Sequence, residues 1–293
     1  MVLESIEKVF FLLFGFGLVF YIGLVVEAKE LLPFLKTKVT LLLGPFYQFG
    51  LSPLLAFGLG NILNLEGLIF QGFLLLSMTP CGSVPNSLTI LAKGNKELSV
   101  AITIVNSVLG LIFIPILAKV YLKEGGEVTL PILNMFGNLV GLVFCIAGGV
   151  IIKEKMPSFV GLLKKTMGFI LSLSILGILI FSGKKILILF YKAPFENFIA
   201  AFILPLALYI GCFLLSLFLK RSNGDSKALA LGSGTFNSPL TIVLILGSYP
   251  LGVSGEVLKI PLLYTPLILI VGALTAFSFS FISSRQVKQS GNI

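Results

Sequence analysis

The chain has 293 residues, 57% of them hydrophobic and only 11% charged, with a mean hydropathy of +1.08, so it cannot fold as a water-soluble globule without exposing large apolar areas. Lipid is the implied solvent. The formal charge of +9 comes from 21 Lys and Arg against 12 Asp and Glu lying almost wholly between apolar runs, a pattern of membrane topology and not of a nucleic-acid footprint.

A helix of about 20 apolar residues crosses roughly 30 Å of hydrocarbon. The first such run, 8–26, is followed by Glu27 and Lys29 and by no small-residue cleavage site, which reads as a retained span and not a signal peptide. The runs 38–60, 66–93, 97–121, 129–152, 162–182, 195–219, 226–247 and 256–283 follow. The alternating ten-residue segments of a membrane β-barrel are missing. The expected fold class is therefore an all-α membrane protein with nine transmembrane helices. Nine spans put 14 of the 21 bases on the side of the C-terminus, so the positive-inside rule predicts a multi-pass protein of the cell inner membrane with its N-terminus outside and its C-terminus cytoplasmic.

Two runs carry helix breakers. The third contains Thr79-Pro80-Cys81-Gly82-Ser83-Val84-Pro85-Asn86-Ser87, and the eighth contains Gly232-Ser233-Gly234-Thr235-Phe236-Asn237-Ser238-Pro239. Proline removes a backbone donor and clashes with the preceding turn, so both should be interrupted helices, broken near 80–86 and 232–239. Hydrocarbon cannot satisfy the freed backbone groups, which must face protein or a wet cavity. Asn86-Ser87-Leu88-Thr89-Ile90-Leu91 is echoed by Asn237-Ser238-Pro239-Leu240-Thr241-Ile242. The two runs are five spans apart in order, and an odd offset inverts the second copy. This predicts inverted repeats, 1–125 with four spans and 126–293 with five, and a binding site where the interrupted segments meet.

Half-helix N-termini near Asn86 and Asn237 attract anions through their N–H groups and the helix dipole. Ser83, Asn86, Ser87, Thr235, Asn237 and Ser238 are the expected substrate contacts. Ser99 and Thr103 share one face of the fourth span. Gln48, an amide among Phe46, Tyr47 and Phe49, needs buried partners. The cysteines Cys81, Cys145 and Cys212 lie inside apolar runs without metal-binding spacing.

Gln48-Phe49-Gly50-Leu51-Ser52-Pro53-Leu54-Leu55-Ala56-Phe57, the stretch from Pro80 to Asn95, and Leu98-Ser99-Val100-Ala101-Ile102-Thr103 resemble the bile acid:sodium symporter family, over about Phe14 to Phe279. The resemblance implies panel and core domains, two crossing discontinuous helices in the core, and Na+ as coupling ion. It places Gln48, Asn86, Ser99 and Thr103 on sodium-ligand positions. It also puts Pro85 where the family has serine, and Gly232 and Phe236 where it has glutamate and glutamine, so one sodium site is depleted and the other nearly dismantled.

The expected function is a secondary transporter moving a small organic anion, a carboxylate, by alternating access, with the sodium coupling that the resemblance implies. Cys81 keeps an alternative open, arsenite or metalloid efflux, because the related arsenite permeases carry a cysteine after the proline. A non-transporting sensor or structural protein is a third. An intramembrane enzyme is not expected, since the chain has no histidine and no aspartate within a span. Neither a nucleic-acid partner nor an organic cofactor is expected.

Overall fold

A computed structural model describes residues 5–25, 38–122 and 132–290. The expected boundary between the halves at 125/126 and the bases Lys29, Lys36 and Lys123 lie outside the described residues. Every element described is helical: α1 (Ser5–Val25), α2 (Lys38–Pro45), a π-helical turn (Phe46–Leu51), α3 (Ser52–Ile62), α4 (Gly67–Met78), α5 (Val84–Leu91), α6 (Lys96–Tyr121), α7 (Ile132–Lys155), α8 (Pro157–Lys192), α9 (Phe195–Phe218), α10 (Asn223–Gly234), α11 (Ser238–Ser248), α12 (Leu251–Val257) and α13 (Lys259–Ser290).

Among the described residues, 7 segments are long and apolar enough to cross a membrane, which makes this a multi-pass membrane protein. They are Thr40–Ile62, Lys96–Tyr121, Leu133–Lys155, Pro157–Ile178, Phe195–Phe218, Asn223–Ser248 and Lys259–Phe281. The two other expected runs are α1, a helix of 21 residues, and the α4–α5 pair, whose pieces have 12 and 8 residues. α8 extends well beyond the expected run 162–182, reaching 36 residues. The apolar run marks immersion, whereas lysines such as Lys164, Lys165, Lys184 and Lys185 are good helix formers and let the helix continue past it.

Local chemistry sets the boundaries. Asn95 caps α6 by accepting from the Leu98 N–H at 3.0 Å, Ser222 caps α10 from Asp225 at 3.0 Å, and Asn237 caps α11 from Leu240 at 3.1 Å. The π-helical turn precedes Pro53, whose ring would clash with the Phe49 carbonyl in a regular helix. The backbone widens instead, and the Ser52 N–H bonds to Tyr47 O, five residues back.

The interrupted pairs α4–α5 and α10–α11 run antiparallel in a single register. At one end the Tyr249 hydroxyl donates to Gln71 Oε1 at 2.9 Å. Near the breaks, the Thr79 and Thr241 hydroxyl oxygens are 2.7 Å apart. At the other end Asn95 donates through its backbone N–H to Gly224 O at 3.0 Å and through Nδ2 to Asp225 Oδ1 at 2.7 Å, while Lys227 Nζ donates to Ala92 O at 2.8 Å. Burial identifies the centre. In the most apolar window of Asn223–Ser248, 83% of residues are buried, against 12% for Pro157–Ile178, so the second interrupted pair is the heart of the protein and α8 its periphery.

α1 packs mainly on α7 and α8. Glu7 is buried at its start, accepting from Lys185 Nζ at 2.8 Å and from Ser182 Oγ at 3.1 Å. α9 packs on α10 and α13. α7 is tied to the end of α11 by Asn138 Nδ2, which donates to Ser248 Oγ at 3.1 Å, and by Asn134 Nδ2, which donates to Ser248 O at 3.4 Å.

α4 approaches α12 closely at Gly72, where an added Cβ would lie 1.8 Å from Val257 O. Gly72→Ala therefore forces backbone apart and should destabilise the protein by about 2 kcal/mol or more. Gly211→Ala on α9, where a Cβ meets nothing within 4 Å, should be neutral or up to about 1 kcal/mol stabilising. Thermal unfolding of both variants in one detergent checks the contrast.

Candidate functional site

Each break leaves backbone groups without helical partners. α4 stops at Met78 because Thr79 turns extended, with φ −75° and ψ 127°, ahead of Pro80. The freed carbonyls of Ser77 and Thr79 accept from Gln48 Nε2 at 3.2 and 3.1 Å, and Ser77 O also accepts from Ser52 Oγ at 3.0 Å. Gln48 is thus held by the π-helical turn against the first break. Its Oε1 is buried and has no hydrogen-bond partner among the described residues.

At the second break α10 ends before Thr235, at φ −104° and ψ 91°. Two tyrosines from other helices satisfy this stretch. The Tyr264 hydroxyl accepts from the Phe236 N–H at 2.7 Å and donates to Gly234 O at 3.2 Å, and the Tyr209 and Thr235 hydroxyls lie 2.7 Å apart. The rings of Phe236 and Tyr264 pack with centroids 5.5 Å apart.

Asn86, Ser99 and Thr103 are brought together. Ser99 Oγ donates to Asn86 Oδ1 at 2.8 Å, Thr103 Oγ1 lies 3.4 Å from the same oxygen, and Thr89 Oγ1 donates to Ser99 Oγ at 3.3 Å. Cys81 Sγ is 3.5 Å from Thr103 Oγ1, which joins the first break to this cluster. One turn on, Asn106 is fully buried with neither amide atom partnered among the described residues. Gly110, another turn along, meets Pro80, whose Cγ would lie 3.1 Å from an added Cβ.

Beside these breaks lies a cavity of about 250 Å³ between α1, α6, α7 and α11. Thr103, Ser107 and Asn237 give it polar edges, and Leu139, Leu142 and Ile146 of α7 form part of its apolar wall. Asn237 Nδ2 lies 3.2 Å from where a Cβ on Gly82 would stand, so the breaks touch at the cavity edge. The N–H groups of the first turn of α11 are already engaged: Ser238 bonds to Phe236 O, Leu240 to Asn237 Oδ1 and Thr241 to Asn237 O, and Pro239 has none. An anion here would meet the Asn237 amide and the helix dipole, not a row of free N–H groups. Thr235 and Ser238 are buried behind this edge. Ser83 and Ser87 stand on an exposed face of α5 with Ile90 and do not line the cavity.

The oxygens fit a monovalent cation in part. Asn86 Oδ1, Ser99 Oγ and Thr103 Oγ1 are hard, clustered donors, and Gln48 Oε1 is a buried oxygen with an open valence. They supply no negative charge, and among the described residues no group of three or more His, Cys, Asp or Glu is placed to hold a metal ion. Gly232 faces Ile102, whose Cγ2 would lie 3.7 Å from an added Cβ, and the Phe236 and Tyr264 rings fill space beside the second break.

The model of the sodium bile acid symporter family matches residues 11–191, more than half of the chain. The chain belongs to that family. It is similar to an uncharacterized sodium-dependent transporter of Bacillus subtilis, YocS, at 28% identity over 78% of this chain and 70% of that protein. It is also similar to a human sodium-dependent organic anion transporter, at 24% identity over 94% of this chain and 73% of that one. Similarity extends to a rat hepatic sodium/bile acid cotransporter, at 26% over 79% of this chain and 66% of that one. The family is one of membrane transporters, and these relatives are named for sodium-dependent transport.

Sequence reasoning missed Tyr209, Tyr264, Ser107 and Asn106. The tyrosines had a signal, since a phenol in an apolar run needs a partner, but their distance from the break in sequence hid which groups they serve. Tyr264→Phe leaves the Phe236 N–H and the Gly234 carbonyl unsatisfied and should cost about 1–3 kcal/mol. A fall in melting temperature larger than that of Tyr191→Phe, an exposed tyrosine, checks this.

Proposed function

We propose that the protein is a secondary transporter of small organic anions, working by alternating access around the two breaks. Support comes chiefly from one observation: two interrupted helix pairs, antiparallel and touching near their breaks, border a cavity that carries the Asn237 amide and the Thr103 and Ser107 hydroxyls on otherwise apolar walls. A carboxylate fits the amide and hydroxyl edge, and a short apolar body fits Leu139, Leu142 and Ile146. Asn237, with Asn86 at the other break, carries substrate recognition. Thr235, Ser238, Ser83 and Ser87 are the further substrate contacts of this reading, the first two buried and the last two exposed in this structure.

This reading keeps nine spans in two inverted halves, 1–125 and 126–293. α1, α7 and α8 form the panel, and the interrupted pairs with α6, α9 and α13 form the core, in line with the packing of α1 on α7 and α8. The N-terminus lies outside and the C-terminus inside. Sodium is the coupling ion, held by Asn86, Ser99 and Thr103 with Gln48 at the first break. Neutral oxygens offset less of the dehydration cost than a carboxylate does, so the ion is held weakly.

The test is uptake into proteoliposomes, with and without an inward sodium gradient, across a panel of small carboxylates. Sodium-stimulated uptake of at least one, reduced tenfold or more in kcat/KM by Asn237→Ala, a loss of about 1.4 kcal/mol, is expected. Gly232→Glu would lower the half-saturating sodium concentration by about tenfold by adding the missing charge. No uptake of any solute in either condition would overturn the proposal, and arsenite protection of growing cells that is lost in Cys81→Ser would replace it with metalloid efflux.

A further inference from the structure

A second cavity, of about 440 Å³, opens where the end of α8 and the turn into α9 meet the start of α13. Three of its lining residues are Lys185, Lys192 and Lys259, the others are apolar, among them Ile188, Leu189 and Pro194, and no carboxylate lines it. Glu7 pairs with Lys185 at 2.8 Å, and Glu256 pairs with Lys259. Among the described residues no carboxylate lies within 4 Å of Lys192. Lys185 and Lys259 are thus paired, and Lys192 is the lining ammonium group outside those two ion pairs. The uncovered side is the hollow itself, where like charges converge in a partly apolar setting and favour an anion. Pro194 is the N-cap residue of α9, whose first turn carries Glu196, so the positive end of that helix dipole is partly offset and the lysines carry the field of the hollow.

The surroundings indicate the source of the anion. Tyr191 is 90% exposed, and Phe195 and Leu187 are also largely exposed beside the hollow. Exposed aromatic side chains at a helix end, next to lysines with long apolar stems, mark the level of lipid headgroups. Ile188 lines the hollow and is exposed as well, so an apolar strip leads from the ammonium groups along α8.

We propose that this hollow binds the phosphate of an anionic phospholipid, with the three ammonium groups around the headgroup and an acyl chain along Leu187 and Ile188 of α8. The lipid bridges α8 to the start of α13, two elements that otherwise touch sparsely, and the assignment is independent of the transport proposal.

Native mass spectrometry of the full chain in detergent, titrated with phosphatidylglycerol or chain-matched phosphatidylcholine, tests it. Wild type should retain phosphatidylglycerol preferentially, Lys192→Gln should reduce that preference about fivefold and Lys192→Arg should restore it. Lys119→Gln, an exposed lysine of α6, should change nothing. Equal retention of the two lipids by wild type would overturn the proposal without reference to any variant. Loss of preference in Lys119→Gln as well, or thermal stabilisation by inorganic phosphate without any lipid preference, would also overturn it, the last by assigning the hollow to a free anion.

Discussion

Every backbone N–H and C=O at membrane depth must find a partner inside the protein, because hydrocarbon offers none. The two breaks strain this requirement most, and the arrangement of the core follows from how they meet it. At the first, Gln48 and Ser52 cover the carbonyls of Ser77 and Thr79. At the second, Tyr264 serves both Phe236 and Gly234. The helices that donate these side chains are fixed beside the breaks by that duty. Among the described residues, two of the polar groups without partners, Gln48 Oε1 and the Asn106 amide, are buried near the first break and beside the Ser99–Thr103 face.

Much of this was legible in the sequence, for reasons that differ by feature. Pro80, Pro85 and Pro239 act on their own helices, so the interruptions could be placed to within a few residues. The clustering of Asn86, Ser99 and Thr103 was carried by helical spacing together with the family resemblance. Partnerships between distant segments left no local trace: nothing around Tyr209 names Thr235, and nothing around Asn95 names Asp225. Hydropathy located the apolar stretch of α8 but not its ends, since lysine is compatible with helix on both sides of an interface. The engagement of the α11 N–H groups was also hidden, because it depends on how Asn237 folds back on its own helix.

The positions where the resemblance implies departures, Gly232 and Phe236, have a physical setting. At Gly232 the space ahead of the backbone is bounded by Ile102, and at Phe236 the ring pairs with that of Tyr264. At the second break Tyr209 and Tyr264 hydrogen-bond the residues of the interruption while Asn237 still faces the cavity, and near the first, among the described residues, Gln48 Oε1 and the Asn106 amide have no partners. The two breaks resemble each other in sequence but not in how they are completed.

The wall that α7 presents to the cavity is apolar along Leu139, Leu142 and Ile146, and among the described residues its side-chain hydrogen bonds to the end of α11 come from Asn134 and Asn138. A surface fastened at one edge and greasy along the rest behaves as a hinge plate: swinging it breaks no directional bond until the pinned end is reached. Friction between α7 and its neighbours would then be set by side-chain shape, and the two asparagines would fix where the axis of rotation lies.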